Sequence, residues 1–263
     1  MEIIGYLSAI IMGAVLGLIG GGGSILTVPI LVYILDFGAV EATGYSLFIV
    51  GTASLVGSFD YYKRGLVNFH VGAVFATPAL LSVYAVRKFV VPSMPEILFQ
   101  GSPFSIEKGT LILSVFALVM LAAALTMIRG KESDNSTTVK KLKFPLIGLE
   151  GVLVGGVAGF VGAGGGFLII PVLVTLAGLK MKVAIGTSLL IIAINSLIGF
   201  MGDVQVMNSV AWSFLLVFTA FSILGIFLGS SLSKRIPNEK LKPGFGWFVL
   251  IMGIGILSKE LLF

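Results

Sequence analysis

Long apolar runs separated by short polar connections make up most of this chain. The runs cover residues 3–19, 25–35, 42–59, 69–91 and 109–128, and then 144–161, 167–179, 183–202, 210–233 and 244–262. Because a helix needs about 20 residues to cross a bilayer, most of these runs are predicted to be membrane-spanning helices. The runs at 25–35 and 167–179 are shorter and would cover roughly half of a 30 Å hydrocarbon core. The pattern predicts an all-α polytopic membrane protein that contains two short, broken helices.

The second half of the chain repeats the first. Residues 13–57 align without a gap with residues 155–199, 142 positions later, and 18 of the 45 aligned pairs are identical. The shared residues include helix-breaking glycines, Pro29 with Pro171, and several serines. We therefore predict two membrane repeats, residues 1–128 and residues 144–263, joined by a polar cytoplasmic linker at 129–143. In each repeat a helix, a glycine break and a half-helix precede three membrane-spanning helices.

The distribution of Lys and Arg residues indicates how each broken unit folds. If each unit crosses the membrane once, 8 of these residues lie on one side and 9 on the other. If each unit turns back as a re-entrant hairpin, 13 lie on one side and 4 on the other. Since cytoplasmic loops are enriched in Lys and Arg, the hairpin is favoured. A hairpin followed by three crossings places the second repeat upside down, so we predict inverted repeats with both termini outside.

The composition agrees with a protein that faces lipid. Mean hydropathy is +1.11 and 11% of the residues are charged, whereas a soluble domain has about 25% charged residues. The chain contains no Cys and a single His (His70), which excludes thiol chemistry, disulfides and a multi-histidine metal centre. The net charge of +5 lies in loops and indicates membrane orientation rather than nucleic-acid binding. We expect a multi-pass protein of the cytoplasmic (inner) membrane, without metal or other cofactor. Homo-oligomer formation is left open.

Two glycine clusters are the strongest candidates for a binding site. They comprise Gly20, Gly21, Gly22, Gly23 and Ser24 in the first repeat, and Gly162, Ala163, Gly164, Gly165 and Gly166 in the second. Each cluster precedes a half-helix, and a helix N-terminus carries about half a positive elementary charge and up to four unpaired N–H groups. Two such ends that converge would bind an anion without a buried Arg or Lys. The alternative is that the glycines only allow close helix packing.

Hydroxyl and amide side chains at repeated positions are candidates to line the path of a ligand. Ser46 and Ser188 occupy equivalent positions, each eight residues before a second repeated serine, so that each pair shares one helix face. Thr187 and Asn195 lie nearby in the second repeat. The alternative is that these side chains bond only to their own helix or join neighbouring helices, as many membrane serines do.

Acidic residues are rare within the apolar runs. Glu150 is the only carboxylate well inside one, and a carboxylate embedded in a membrane is a candidate proton carrier. The alternative is that the side chain of Glu150 extends to the membrane interface and has no role in transport. Asp60 and Asp203 end equivalent helices and are expected at that interface as anchors. His70 is expected there as well.

Motifs in both halves resemble one family of membrane proteins. A glycine-rich break is followed by Pro29 or Pro171, and then by Ala-Thr-Gly-Tyr-Ser at 42–46 and Ala-Ile-Gly-Thr-Ser at 184–188. These motifs resemble the sulfite exporter TauE/SafE family, also called the toluenesulfonate uptake permease superfamily, over essentially the whole chain. The resemblance implies transport of small sulfur-containing anions such as sulfite, thiosulfate or organosulfonates. The first repeat has Ser24 where the second has Gly166, so the two ends of the expected site differ chemically.

Two other classes of function need consideration. A membrane hydrolase would need a nucleophile and a base, for which Ser58 and His70 are the only conceivable pair. Neither residue has an equivalent in the second repeat, so we expect no enzymatic activity. A non-transporting membrane scaffold or assembly factor is the main alternative to a transporter. Such a protein would not require glycine breaks at equivalent depths in two repeats.

Overall fold

The computed structural model describes residues 2–21, 23–100, 105–129, 144–162, 164–207, 209–233 and 238–262, and the chain is mainly helical in these ranges. The first repeat contains α1 (Glu2–Ile19), α2 (Ser24–Pro29, continued by a π-helical turn at Ile30–Ile34), α3 (Ala39–Lys63), α4 (Phe69–Ala85, continued by a π-helical turn at Val86–Val90 and a last turn at Val91–Ser93) and α5 (Lys108–Arg129). The second contains α6 (Phe144–Val161), α7 (Gly166–Thr175), α8 (Met181–Val204), α9 (Trp212–Leu232) and α10 (Asn238–Leu262). Between α4 and α5, strands β1 (Ile97–Gln100) and β2 (Ser105–Glu107) pair antiparallel.

The length and hydropathy of the helices confirm the predicted multi-pass membrane fold. Among the described residues, five helices are long and apolar enough to cross a membrane: α3, α4, α8, α9 and the Lys108–Leu125 part of α5. Large apolar side chains cover their outer surfaces; Leu81, for example, is 65% exposed and Ile251 on α10 is 67% exposed. Helix α10 is 25 residues long and packs against α5, in the place predicted for the sixth crossing. Of the predicted linker at 129–143, residues 130–143 lie outside the described residues.

The first broken unit folds back on itself. Helix α1 ends where Gly20 adopts a left-handed backbone conformation with φ +83°, which disfavours a side chain. On the returning segment Gly23 lies against Met12 and Leu16 of α1. Further along, Leu35 lies against Gly5, close to the start of α1. Because the later residues contact the earlier part of α1, the two arms are antiparallel and form a hairpin.

Helices α3 and α8, which occupy equivalent positions in the two repeats, form the centre of the molecule. In these two helices 61% and 72% of the most apolar stretch is buried, against 33–44% in the other three candidate spans. Contacts run from Gly44 with Asp203, through Gly51 with Leu197, to Gly57 with Leu189. Residue numbers rise along α3 as they fall along α8, so the two helices pack antiparallel.

The other contacts between helices are also reciprocal between the two repeats. Helix α1 packs on α9 of the other repeat, and its equivalent α6 packs on α4, while α5 packs on its own equivalent α10. Likewise, α4 contacts α8 as α9 contacts α3. Such reciprocal pairing is expected of two repeats related by a pseudo-twofold axis, and antiparallel α3 and α8 are what an inverted pair requires. The orientation of the repeats relative to a bilayer stays a prediction.

Candidate functional site

The two glycine breaks meet in the interior of the protein. Gly21 of the first break lies directly against Gly166, the first residue of α7 in the second. A Cβ atom on Gly166 would lie 2.5 Å from the Cα of Gly21, closer than any side chain tolerates. Both residues are buried. The contact therefore depends on glycine at both positions and brings the two half-helices together, as the sequence predicts.

Each break also lies against the central helix of the other repeat. Gly20 contacts Ile185 on α8, and Gly162 contacts Thr43 on α3. These two pairs are equivalent, because Gly20 corresponds to Gly162 and Thr43 to Ile185 in the repeat alignment. Gly162 has a left-handed φ of +74°. The breaks thus occupy corresponding environments, but a hydroxyl side chain faces the second break and an aliphatic side chain faces the first.

Gly164 faces a polar group on α8. A Cβ atom at Gly164 would lie 2.7 Å from the Ser196 Oγ, and Val50 and Ile192 complete its surroundings. Val50 and Ile192 occupy equivalent positions, each between the two repeated serines of its helix. Each of these two residues therefore has a serine one turn before it and one turn after it. On α3 these are Ser46 and Ser54, and on α8 they are Ser188 and Ser196. The serine faces predicted from the sequence converge on the second break.

The residues next to the breaks have mainly local structural partners. Gly165 is the N-cap of α7 with φ +70° and packs on Ala158. The Ser24 Oγ donates a hydrogen bond of 2.7 Å to the carbonyl of Gly21, which stabilises the first turn before α2. Gly22 and Ala163 lie outside the described residues.

The predicted hydroxyl and amide residues are all buried but differ in their partners. The Ser188 Oγ donates to the carbonyl of Ile185 at 2.8 Å, and the Thr187 Oγ1 accepts the backbone N–H of Asn68 at 2.9 Å. By contrast, the Ser46 Oγ and the Asn195 Oδ1 have no hydrogen-bond partner. The hydroxyls of Ser54 and Ser196 are buried and unpaired as well. The unpaired atoms are candidates to bind a ligand, whereas Thr187 joins α8 to the start of α4.

Glu150 lies apart from the breaks. It is half-buried on α6, twelve residues before Gly162, which corresponds to about 18 Å along the helix. Its neighbours Leu149 and Leu153 are 57% and 58% exposed, which places this part of α6 at the outer surface of the protein.

An ion pair beside the second break was not found by sequence reasoning. Arg87, in the π-helical turn of α4, is completely buried, and its Nη1 lies 3.2 Å from the Asp203 Oδ2 on α8. The same Nη1 donates a hydrogen bond of 3.1 Å to the Thr43 Oγ1. Asp203 is 7% exposed, so the expectation of an interfacial anchor is wrong for this residue. Asp60 is more exposed and pairs with Arg64 one turn along α3.

The corresponding position at the first break is neutral. Tyr61 stands in the repeat position of Asp203. Its hydroxyl lies 3.2 Å from the carbonyl oxygen of Gly17 and 3.2 Å from the Ser233 Oγ. The two breaks already differ chemically, because Ser24 in the first corresponds to Gly166 in the second. The ion pair between Arg87 and Asp203 adds charged groups to the second break.

Other features of the described residues do not contribute to this site. No group of three or more His, Cys, Asp or Glu side chains with metal-binding geometry occurs among them. A cavity of about 470 Å³ lies between the start of α1, the end of the returning arm of the first hairpin and α9. Its lining is mostly apolar and includes Leu35, Phe37 and Phe214.

Comparisons with known proteins assign the chain to a family. A model of the sulfite exporter TauE/SafE family matches residues 6–256. The chain belongs to this family. This TauE/SafE protein is 29% identical over 256 residues to a probable membrane transporter protein of Xylella fastidiosa strain Temecula1. The alignment covers 95% of this chain and 92% of the Xylella protein. It is 26% identical over 265 residues to a probable membrane transporter protein of Haemophilus influenzae, covering 94% of each chain.

A similar relationship extends to the archaea. The chain is 25% identical over 265 residues to a probable membrane transporter protein of Methanocaldococcus jannaschii, covering 94% of each chain. No solved structure matches this TauE/SafE protein.

Proposed function

We propose that this protein is a membrane transporter that carries small sulfur-containing anions, such as sulfite, thiosulfate or organosulfonates, across the cytoplasmic membrane. Membership of the sulfite exporter TauE/SafE family and the similarity to probable membrane transporter proteins support a transporter. The observation that carries the proposal is the contact between two glycine breaks, Gly21 and Gly166, with the unpaired Ser196 hydroxyl facing Gly164 in the second break.

The donors among the unpaired atoms support an anion as the ligand. A buried donor or acceptor without a partner costs about 1–3 kcal/mol, and the protein has several of them around the second break. Donors are supplied by the Ser46 and Ser196 hydroxyls and by the N-terminus of α7, where the helix dipole favours negative charge. Hydroxyls and N–H groups replace the water that a sulfur oxyanion loses when it enters the protein.

The reciprocal packing of the repeats supports an alternating-access mechanism. Each contact between two helices has a matching contact between their repeat equivalents, so a movement of one repeat against the other would produce a second packing of the same kind. The breaks lie between α3 and α8, and this position allows them to face one side of the membrane and then the other. We propose this rocking movement as the transport mechanism.

Glu150 remains our proposed proton site. Its replacement by glutamine removes the carboxyl group while the size of the side chain is preserved. In reconstituted vesicles, Glu150→Gln should flatten the dependence of sulfite flux on pH and leave flux at the optimum nearly unchanged. A normal pH profile in this variant would assign Glu150 a structural role, in keeping with its distance from the breaks.

Counterflow in proteoliposomes tests the function directly. Vesicles loaded with unlabelled sulfite should accumulate labelled sulfite transiently when they contain the protein, and vesicles without protein should not. Competition by thiosulfate and by methanesulfonate, measured in the same assay, identifies the preferred anion. Absence of counterflow with folded protein for all three anions would favour the scaffold alternative.

A further inference from the structure

One edge of a buried guanidinium group has no partner at the second break. Arg87 is fully buried, and its Nη1 is occupied by Thr43 and Asp203. The Nε and Nη2 atoms have no hydrogen-bond partner. Nη2 lies beside the break, since a Cβ atom on Gly162 would be 2.5 Å from it. Gly162 therefore packs directly against this part of the guanidinium group, where a larger residue would collide with it.

The two unpaired nitrogens form the donor pair that recognises oxyanions. In the planar guanidinium group, the N–H bonds of Nε and Nη2 point in the same direction along one edge. Such an edge binds two oxygens of a carboxylate, phosphate or comparable group through parallel hydrogen bonds. Nη1, on the other side of the group, contacts the carboxylate of Asp203. The arrangement therefore places a counter-charge beside Arg87 while the Nε and Nη2 edge has no hydrogen-bond partner.

The energetic cost of this arrangement indicates that the edge has a function. A buried N–H of a charged group that makes no hydrogen bond loses its contact with water without replacement, and the Nε and Nη2 atoms of Arg87 make none. The contact with Asp203 satisfies neither of them, because it is made by Nη1. A conformation of Arg87 that serves only stability would be expected to pair its donors more completely.

We infer that Arg87 binds the transported anion through its Nε and Nη2 edge, and that Asp203 is the counter-ion that balances Arg87 when the site is empty. The inference rests on the proposed transport function. It places the cationic group that binds the anion at the second break. It defines the ligand as an anion with at least two oxygens on one central atom, as in sulfite or a sulfonate. At the corresponding position of the first break stands Tyr61, whose hydroxyl contacts the Gly17 carbonyl oxygen and the Ser233 Oγ.

Three variants and one control test the inference on purified, full-length protein. Asp203→Asn keeps a neutral partner for Nη1 but removes the competing negative charge. Arg87→Gln combined with Asp203→Asn removes both charges and leaves no unpaired buried ion. Arg87→Lys keeps the positive charge but removes the fork. Lys88→Gln is the matched control, because it removes a cation from the next residue, whose Nζ contacts the Tyr84 hydroxyl at 3.0 Å instead.

Affinity for sulfite and for methanesulfonate, with melting temperature measured on the same samples, separates the outcomes. We expect Asp203→Asn to bind both anions roughly tenfold more tightly, and the double variant and Arg87→Lys to bind them at least tenfold more weakly. Lys88→Gln should retain the parental affinity. A purely structural ion pair predicts lower melting temperatures for Asp203→Asn and Arg87→Lys without these changes in affinity, and that result would overturn the inference.

The test also distinguishes the inference from the proposed function. If the parent protein transports sulfite and the folded double variant binds it with parental affinity, the role of Arg87 is wrong and the transport function stands. If the double variant does not fold, unchanged affinities in Asp203→Asn and Arg87→Lys lead to the same conclusion. If the parent protein neither transports nor binds sulfite, thiosulfate or methanesulfonate, both proposals fall.

Discussion

At the scale of single residues, the glycines of this protein fall into two groups. Gly162, Gly164 and Gly165 have positive φ angles, so their backbone conformation itself disfavours a side chain. Others, such as Gly229, have ordinary helical conformations but lie against the backbone of a neighbouring helix. The first group shapes the breaks, and the second allows close packing. Positive φ angles and close backbone packing therefore explain different glycines of this protein, and the binding of an anion at the breaks stays a prediction.

Gly164→Ala should impair anion binding more than its backbone conformation explains. The new Cβ atom would collide with the Ser196 Oγ, in addition to the cost of about 1–2 kcal/mol for an alanine at positive φ. Gly178→Ala is the matched control, because Gly178 has a similar φ of +62° and no heavy atom within 4 Å of the Cβ position. Both variants should melt at a lower temperature, but only Gly164→Ala should lose affinity for sulfite. Equal affinities in the two folded variants would separate the second break from the binding site.

Ser196→Ala and Ser188→Ala should differ although both serines are buried on the same face of α8. The Ser196 Oγ is unpaired and lies beside Gly164, whereas the Ser188 Oγ is bonded to its own helix. Removal of the Ser196 hydroxyl should weaken sulfite binding by about 1 kcal/mol, which is roughly fivefold, since one hydrogen bond to the ligand is lost. Titration calorimetry of Ser188→Ala should give an affinity close to that of the parent. The opposite order would show that the ligand contacts the other end of the serine face.

At the scale of helices, two equivalent pairs pack through glycine. On α9, Gly225 and Gly229 lie against the backbone of Ile10 and Ala14 on α1. On α6, Gly151 and Gly155 lie in the same way against the backbone of α4. Small residues allow helix backbones to approach closely in membranes, where packing rather than the hydrophobic effect drives association. These glycines hold each hairpin to the opposite repeat.

Gly229→Val should destabilise the protein without a specific effect on the ligand. A side chain at this position would overlap the Ala14 carbonyl group, and overpacking of this kind costs roughly 1–3 kcal/mol. Gly255→Val on α10 is the control, since the position of its Cβ has no neighbour within 4 Å. Thermal unfolding in detergent should show a lower melting temperature for Gly229→Val alone, while the sulfite affinity of the remaining folded protein is unchanged. A selective loss of affinity at normal stability would mean that α9 contributes directly to the site.

At the scale of the whole molecule, the orientation in the bilayer is open to a direct measurement. The 13-to-4 division of Lys and Arg residues predicts that 129–143 is cytoplasmic and that the β1–β2 hairpin is outside. The parent chain contains no Cys, so single cysteines can be introduced without background. In intact cells, Gln100→Cys should react with an impermeant maleimide, and Ser136→Cys should react only after the membrane is permeabilised. Labelling in the reverse pattern would overturn the predicted topology.

The local features of the fold were predictable from the sequence because each depends on nearby residues. Apolar runs of about 20 residues determine where helices cross, and clustered glycines determine where they break. The division of charge favoured hairpins, and the contacts of Gly5 with Leu35 and of Gly23 with Met12 show the first one. The alignment of the repeats also identified Ser46 and Ser188 as equivalent, but their different hydrogen bonding could not be read from it.

The sequence by itself determined that this is a duplicated, all-α membrane protein with two glycine breaks. Only the tertiary structure decided which residues surround those breaks. Arg87 and Asp203 are 116 positions apart and lie near helix ends, where a charged residue is usually interfacial, so their pattern gave no signal of burial. They meet because α4 of one repeat packs on α8 of the other. Long-range packing, rather than local propensity, therefore places an ion pair at one break and Tyr61 at the corresponding position of the other.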